Sequence, residues 1–124
     1  MKINDATTLH DLTAQFARYE TALVTNDLAV LDELFWDNPN TLRYGAGENL
    51  YGIAEIRAFR DARPSKGLDR DVLRTHITTF GDDFATTQIE FRRVGAERIG
   101  RQTQAWVRLP DGWRVVSAHV SLMT

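Results

Sequence analysis

The stretch Asp71–Leu122, DVLRTHITTF GDDFATTQIE FRRVGAERIG RQTQAWVRLP DGWRVVSAHV SL, decides the fold. Its pattern repeats every two residues, the spacing of side chains on alternate faces of a strand. Four strands follow: Val72–Phe80, Phe84–Arg92, Ile99–Leu109 and Trp113–Leu122. Gly81-Asp82-Asp83, Gly95 with its neighbours and Pro110-Asp111-Gly112 are short turn signals of the kind that join consecutive antiparallel strands. The stretch predicts a four-stranded meander.

Upstream of it the period changes. Leu9, Leu12, Phe16, Tyr19 and Leu23 recur at spacings of three and four, which predicts a helix over residues 6–24 with one apolar face. Asp27 is a natural N-cap for a second, shorter stripe made of Leu28, Leu31, Leu34 and Phe35, and Asn38-Pro39 ends it. Thr41–Tyr44 and Glu48–Tyr51 read as two short strands reversed at Gly45 and Gly47. Ile53, Ile56 and Phe59 form a third helical stripe closed by Pro64, and Ser65–Asp69 is a loop. With no internal repeat or linker, residues 1–124 form one domain. Helices followed by a meander indicate an α+β fold: N-terminal helices packed on a curved, mostly antiparallel sheet that makes a cone-like barrel with a pocket.

Composition narrows the chemistry. The 124 residues contain no cysteine, which removes disulfides, thiolate zinc sites and cysteine nucleophiles. Thirteen arginines stand against two lysines, yet the net charge is only −2, which argues against a general nucleic-acid surface. No run approaches the ~20 apolar residues of a membrane span, and the start MKINDATTLH lacks the features of a signal peptide, so a cytoplasmic location is expected. The arginine surplus has two readings. It is a compositional habit, or it supplies guanidinium groups that grip carboxylates bidentately.

Individual residues leave similar pairs of readings open. Tyr19 lies on the apolar stripe of the first helix, as a core tyrosine or as a hydroxyl donor in a cavity. Alternation puts Thr41 and Arg43 on one face of their strand, where Arg43 is an exposed edge-strand residue or a carboxylate anchor. Gln102, Gln104 and Trp106 share a face and resemble a ligand wall or a set of cross-strand partners. His119 alternates with Trp113, Val115, Ser117 and Ser121 on a face too polar for simple core. His10 is expected in solvent, and His76 and His119 lack metal-ligand spacing, so no metal site is expected. Arg57, Arg60 and Arg63 read most simply as a solvated helix face, with Arg63 able to turn towards a cavity. There is no nucleophile elbow, phosphate loop or dinucleotide fingerprint, and no cofactor is expected.

The strings ARYETALVTNDLAVLDELFW, RYGAGENLYG, IRAFRDARP and IGRQTQAWVRLPDGWRVVSAHVS together resemble the AtzH-like family, which includes HpxZ-like proteins of oxalurate catabolism. The resemblance covers nearly the whole chain. More remotely, the ending DGW-x5-H-x-S is similar to the nuclear-transport-factor-like superfamily of cone-shaped α+β barrels that holds SnoaL-like cyclases and ketosteroid isomerase. The resemblance implies a pocket between sheet and helices, a homodimer formed through the sheet, and a metal-free amidohydrolase role on small anionic ureido acids such as dicarboxyurea. It places the catalytic tyrosine and arginine on Tyr19 and Arg43. From their own positions in the pattern, Arg63, Gln104 and His119 are the residues expected to bind substrate. Two other readings stand beside it: an accessory binding subunit of a neighbouring amidase, and a ketosteroid-isomerase-like enzyme with Asp37, Glu48 or Glu90 as base.

Overall fold

The computed structural model describes residues 1–124. Helix α1 spans Ala6–Val24, α2 Leu28–Leu34 and α3 Ile53–Ala62; strands β1 and β2 span Leu42–Tyr44 and Asn49–Tyr51. The meander is β3 Arg70–Phe80, β4 Phe84–Arg93, β5 Gly100–Leu109 and β6 Gly112–Leu122. These elements follow the sequence expectations to within two residues at each end. The local reasons are visible: Asp5 caps α1 by accepting from the Thr8 amide, and Asp27 caps α2 by accepting from the Val30 amide. Leu12, Phe16 and Tyr19 of the predicted stripe are buried in α1.

Three helices cover one face of a curved, unclosed six-stranded sheet ordered β2-β1-β6-β5-β4-β3. All neighbours are antiparallel except β1 and β6, which pair in parallel with Arg43 beside Ala118 and Tyr44 beside His119. Arg43 is therefore not on an edge strand, since β2 lies outside β1. At the other edge the N-terminal segment covers part of β3, with the Asn4 amide donating to the Thr79 carbonyl at 3.0 Å.

Cross-strand register sets the two faces of the sheet. Arg43, Ala118, Gln104, Thr87 and Ile77 form one row on the inner face, under the helices. Tyr44, His119, Thr103, Gln88 and His76 form the adjoining row on the outer face. The core fills the space between α1, α2 and the inner face, where Leu12, Leu31, Leu34, Phe35, Trp106 and Val115 are almost wholly excluded from water. Each such side chain contributes roughly 1.5–3 kcal/mol by burial. Gly100 stands opposite Phe91 on β4, and a Cβ at Gly100 would lie 2.3 Å from the Phe91 ring. The missing side chain lets that ring lie across the β5 backbone at one end of the sheet.

Candidate active site

That end of the molecule holds a cavity of about 620 Å³. Its apolar wall comes from Phe59, Leu68, Phe91, Val120 and Leu122, and its polar groups are Arg43, Glu48, Arg63, Arg93, Glu97 and Arg98. Four guanidinium groups against two carboxylates make it a cationic site for an anionic, acceptor-rich molecule.

Short elements position the polar groups. Arg43 reaches the cavity because β1 alternates, sending Thr41 and Arg43 inward while Leu42 and Tyr44 point outward. The β1–β2 reversal then brings Glu48 back against it: Arg43 Nη1 donates to Glu48 Oε1 at 2.8 Å, and the Gly47 amide donates to Oε2 at 3.3 Å. The Arg43 guanidinium also lies 5.5 Å from the Phe59 ring centroid. One nitrogen of the Arg43 guanidinium is thus engaged by a carboxylate of the same hairpin.

Arg63 differs from it. As the residue that ends α3 it leaves the helix in an extended conformation and turns into the cavity. Its Nε and Nη2 are buried and make no hydrogen bond. Those two nitrogens form the side-on edge of a guanidinium, the edge that takes a carboxylate bidentately. Burial holds its pKa below the ordinary arginine value, Tyr19 opposes that fall, and Arg43 and Arg93 add to it. Arg63 is therefore a half-buried cation with two buried donors that no partner meets, and leaving such donors unpaired costs stability.

Arg60 corrects the reading of Arg57, Arg60 and Arg63 as a solvated helix face. It is only 4% exposed. The stripe Ile53 and Ile56 continues at helical spacing to position 60, so α3 carries Arg60 into the core with its buried face. Its guanidinium lies 4.1 Å from the Phe35 ring centroid and donates to Asp32 at 3.4 Å. Burial pushes its pKa down to about 10, with Tyr19 acting against that fall, so it stays charged at neutral pH. Arg57 keeps the expected solvated position, half-exposed beside Asp32 and Asp37, and Arg63 lines the cavity towards which the sequence allowed it to turn.

Tyr19 is buried, packing between Phe16 and Phe35 with ring centroids 6.4 and 6.2 Å away. Its hydroxyl has electrostatic reach to both Arg60 and Arg63. Tyr19 thus sits in the core as one of its two readings has it, and it is not among the residues that line the cavity. Gln104 is also wholly buried, one strand in from Ala118 and Arg43. The Trp106 indole donates to Thr87 Oγ1 at 3.1 Å, so the Thr87 hydroxyl donates to Gln104 Oε1 at 3.1 Å. This order fixes the Gln104 amide with its NH2 group unpartnered.

His119 is not brought to this site. The β1–β6 register puts it on the outer face, exposed, with its ring edge-on to Tyr44 at 5.6 Å. Of the three carboxylates considered as bases, Asp37 is largely exposed and Glu90 lies on the outer face opposite Arg74 and Arg101, leaving Glu48 inside. No three His, Asp or Glu side chains converge as a metal site would require. Sequence reasoning missed Arg60 and the pairing of Arg43 with Glu48. The continuation of the Ile53–Ile56 stripe was the available signal for the first. No local pattern signals the second, because it rests on how the four-residue connection 45–48 closes.

Comparison with known proteins agrees with this architecture. The chain is 63% identical to a crystallised protein of unknown function of the DUF3225 family from Pectobacterium atrosepticum SCRI1043, covering 98% of this chain and 95% of that one with a TM-score of 0.97. A cystatin-like fold protein from Burkholderia xenovorans LB400 is 44% identical over 100% of this chain and 98% of that one, with a TM-score of 0.96. At 22% identity, a nuclear transport factor 2-like superfamily protein from Salmonella enterica shares the fold, with a TM-score of 0.79 over 96% and 93% of the two chains. No curated protein matches. The AtzH-like family profile matches residues 1–124, the whole sequence, and the chain belongs to the AtzH-like family.

Proposed function

We propose that this chain binds a small carboxylated ureido acid in the cavity and hydrolyses its terminal amide. The observation that carries the reading is the buried, unpartnered Nε–Nη2 edge of Arg63, a residue that lines a cavity whose charge is net cationic. A carboxylate seated there makes charge-assisted bonds worth roughly 1.5–3 kcal/mol and relieves two unpaired donors. Tyr19, which lies within electrostatic reach of Arg60 and Arg63, is the group we assign from the family match to polarise the carbonyl through its hydroxyl. Arg43 holds the Glu48 side of the site in place. Water adds to the carbamoyl carbon, the C–N bond breaks, and the nitrogen leaves as ammonia with the water's proton. Membership of the AtzH-like family and the match of its tyrosine and arginine to Tyr19 and Arg43 support this assignment.

A second reading, a binding subunit that serves a separate amidase, draws on the absence of serine, threonine, cysteine and lysine among the residues that line the cavity. One experiment separates the two: calorimetric binding of oxalurate together with ammonia release by the purified protein. Binding with ammonia release that is lost in Tyr19→Phe and Arg43→Ala is the expected result. Release unchanged in both variants would sink the residue assignment, binding without release would favour the accessory role, and no binding would remove both.

We further place a second copy of the chain on the outer sheet face. Tyr51, a largely exposed aromatic, stands there edge-on to Tyr44 at 6.0 Å, beside the exposed His119. Sedimentation equilibrium of Tyr51→Glu against the unmodified chain tests it, with a shift from dimer to monomer expected.

A further inference from the structure

Amide hydrolysis by water needs a group to accept the water's proton, and the guanidinium-rich cavity is short of acceptors. Arginine has no acceptor lone pair. Among the residues that line the cavity only Glu48 and Glu97 carry carboxylates, and Glu97 lies exposed on the β4–β5 loop at the mouth. Glu48 is inside, its side chain only 27% exposed.

Its carboxylate is also held in a fixed place. Arg43 Nη1 grips Oε1 at 2.8 Å, and the Gly47 amide reaches Oε2 at 3.3 Å. Two bonds leave free lone pairs on a group that can hold about four. Gly45 completes the arrangement: a Cβ at that position would lie 1.8 Å from Glu48 Oε1 and 2.4 Å from its Cδ. The carboxylate fills the space that any other residue at position 45 would occupy. Arg63, whose two free donors would seat the substrate carboxylate, lies close enough to Glu48 for the two to interact electrostatically.

We propose that Glu48 is the general base of the reaction and that Arg43 is a positioning residue which orients it. This rests on the amide-hydrolysis reading above. As the water oxygen bonds to the carbamoyl carbon, Glu48 takes one water proton and the carbonyl electron pair moves onto oxygen. The electron pair then returns, the C–N bond breaks, and the proton on Glu48 passes to the departing nitrogen. Water and the terminal amide are consumed, an N-carboxy (carbamic acid) product and ammonia are formed, and Glu48 is regenerated.

The test compares Glu48→Gln and Gly45→Ala with the unmodified protein for oxalurate binding and for ammonia release. Glu48→Gln keeps an oxygen for Arg43 but cannot take a proton, so kcat should fall about 100-fold or more while the oxalurate Kd changes by less than about threefold. Gly45→Ala retains the carboxylate but displaces it, and Gly45 has no positive φ that would strain alanine, so the protein should fold and release should fall about tenfold. An unchanged kcat in Glu48→Gln would overturn the proposal, as would an equal loss of binding, which would make Glu48 structural. Should Glu48→Gln fail to fold, Gly45→Ala decides: full release from it overturns the assignment. Absence of release from the unmodified protein is a different failure, that of the hydrolase reading itself.

Discussion

Arg70 stacks on Phe91 and Arg63 lines the cavity that Phe91 also lines, and the surroundings of the two arginines are opposite. Arg70 lies 4.4 Å from the Phe91 ring centroid with its side chain 4% exposed; it donates through Nε to Glu20 at 3.3 Å, through Nη2 to the same carboxylate, and through Nη2 to Gln102 at 3.1 Å. That neighbourhood is closed. Arg63 shares a cavity with the same Phe91 but leaves Nε and Nη2 buried without partners. A satisfied buried cation holds the fold together, whereas an unsatisfied one costs stability that a bound anion returns. Burial alone does not separate structure from function here; the hydrogen-bond inventory does.

The comparison is sharpest under substitution. Arg70→Met should have the largest effect on stability, about 3 kcal/mol, because it strands Glu20 and leaves Gln102 without its donor. Urea unfolding at neutral pH measures it, and a loss below about 1 kcal/mol would erase the distinction. Arg63→Gln should leave stability unchanged or slightly higher while weakening oxalurate binding by about 10- to 150-fold, the equivalent of roughly 1.5–3 kcal/mol for a charged hydrogen bond. Calorimetry reads the affinity and thermal unfolding the stability, and a variant that is destabilised as much as Arg70→Met would place Arg63 with the structural group.

Arg60 falls between the two. Its only charged partner within reach, Asp32, is one-third exposed and can be hydrated when left alone, so Arg60→Met should be neutral or stabilising by up to about 2 kcal/mol. A loss above that size in urea would show that its stacking on Phe35 outweighs the cost of burying its charge. The exposed pair of Arg18 and Glu33, 2.8 Å apart, marks the weak end of the series, and Arg18→Gln should cost no more than about 0.5 kcal/mol. The hydrogen bond from Arg18 holds the Glu33 carboxyl below its ordinary value. With the folded value depressed, the unfolded chain binds more protons, so this small contribution is present above the ordinary glutamate range and lost as pH falls through the folded value. The difference in stability between the unmodified protein and Arg18→Gln, followed from pH 7 to pH 3, should shrink towards zero.

Much of the fold was legible because its signals are local. Leu12, Phe16 and Tyr19 announce a helix, and the period-two stretch announces its strands, with no knowledge of the rest of the chain. The site was less so. Alternation put Arg43 opposite Leu42 and Tyr44 but could not say which face would be covered. His119 shows the same gap in reverse: its polar companions suggested a site, and the covered face proved to be the other one. Arg60 was misassigned because arginine at the end of an apolar stripe is usually solvated, and α3 is short enough to carry its buried face to that position.

By itself, then, the sequence determined the order, type and bounds of the elements, the likeness to the AtzH-like family and the absence of cysteine, since spacing, caps and residue chemistry act over a few residues. Tertiary structure alone decided which face of the sheet is inward. It did so through a parallel pairing between strands some 75 residues apart, Arg43 beside Ala118, a contact that leaves no trace in local periodicity. It also decided which arginines meet carboxylates. A guanidinium is the same group in any sequence, and only the packed chain determines whether its donors are satisfied, as at Arg70, or left facing a cavity, as at Arg63.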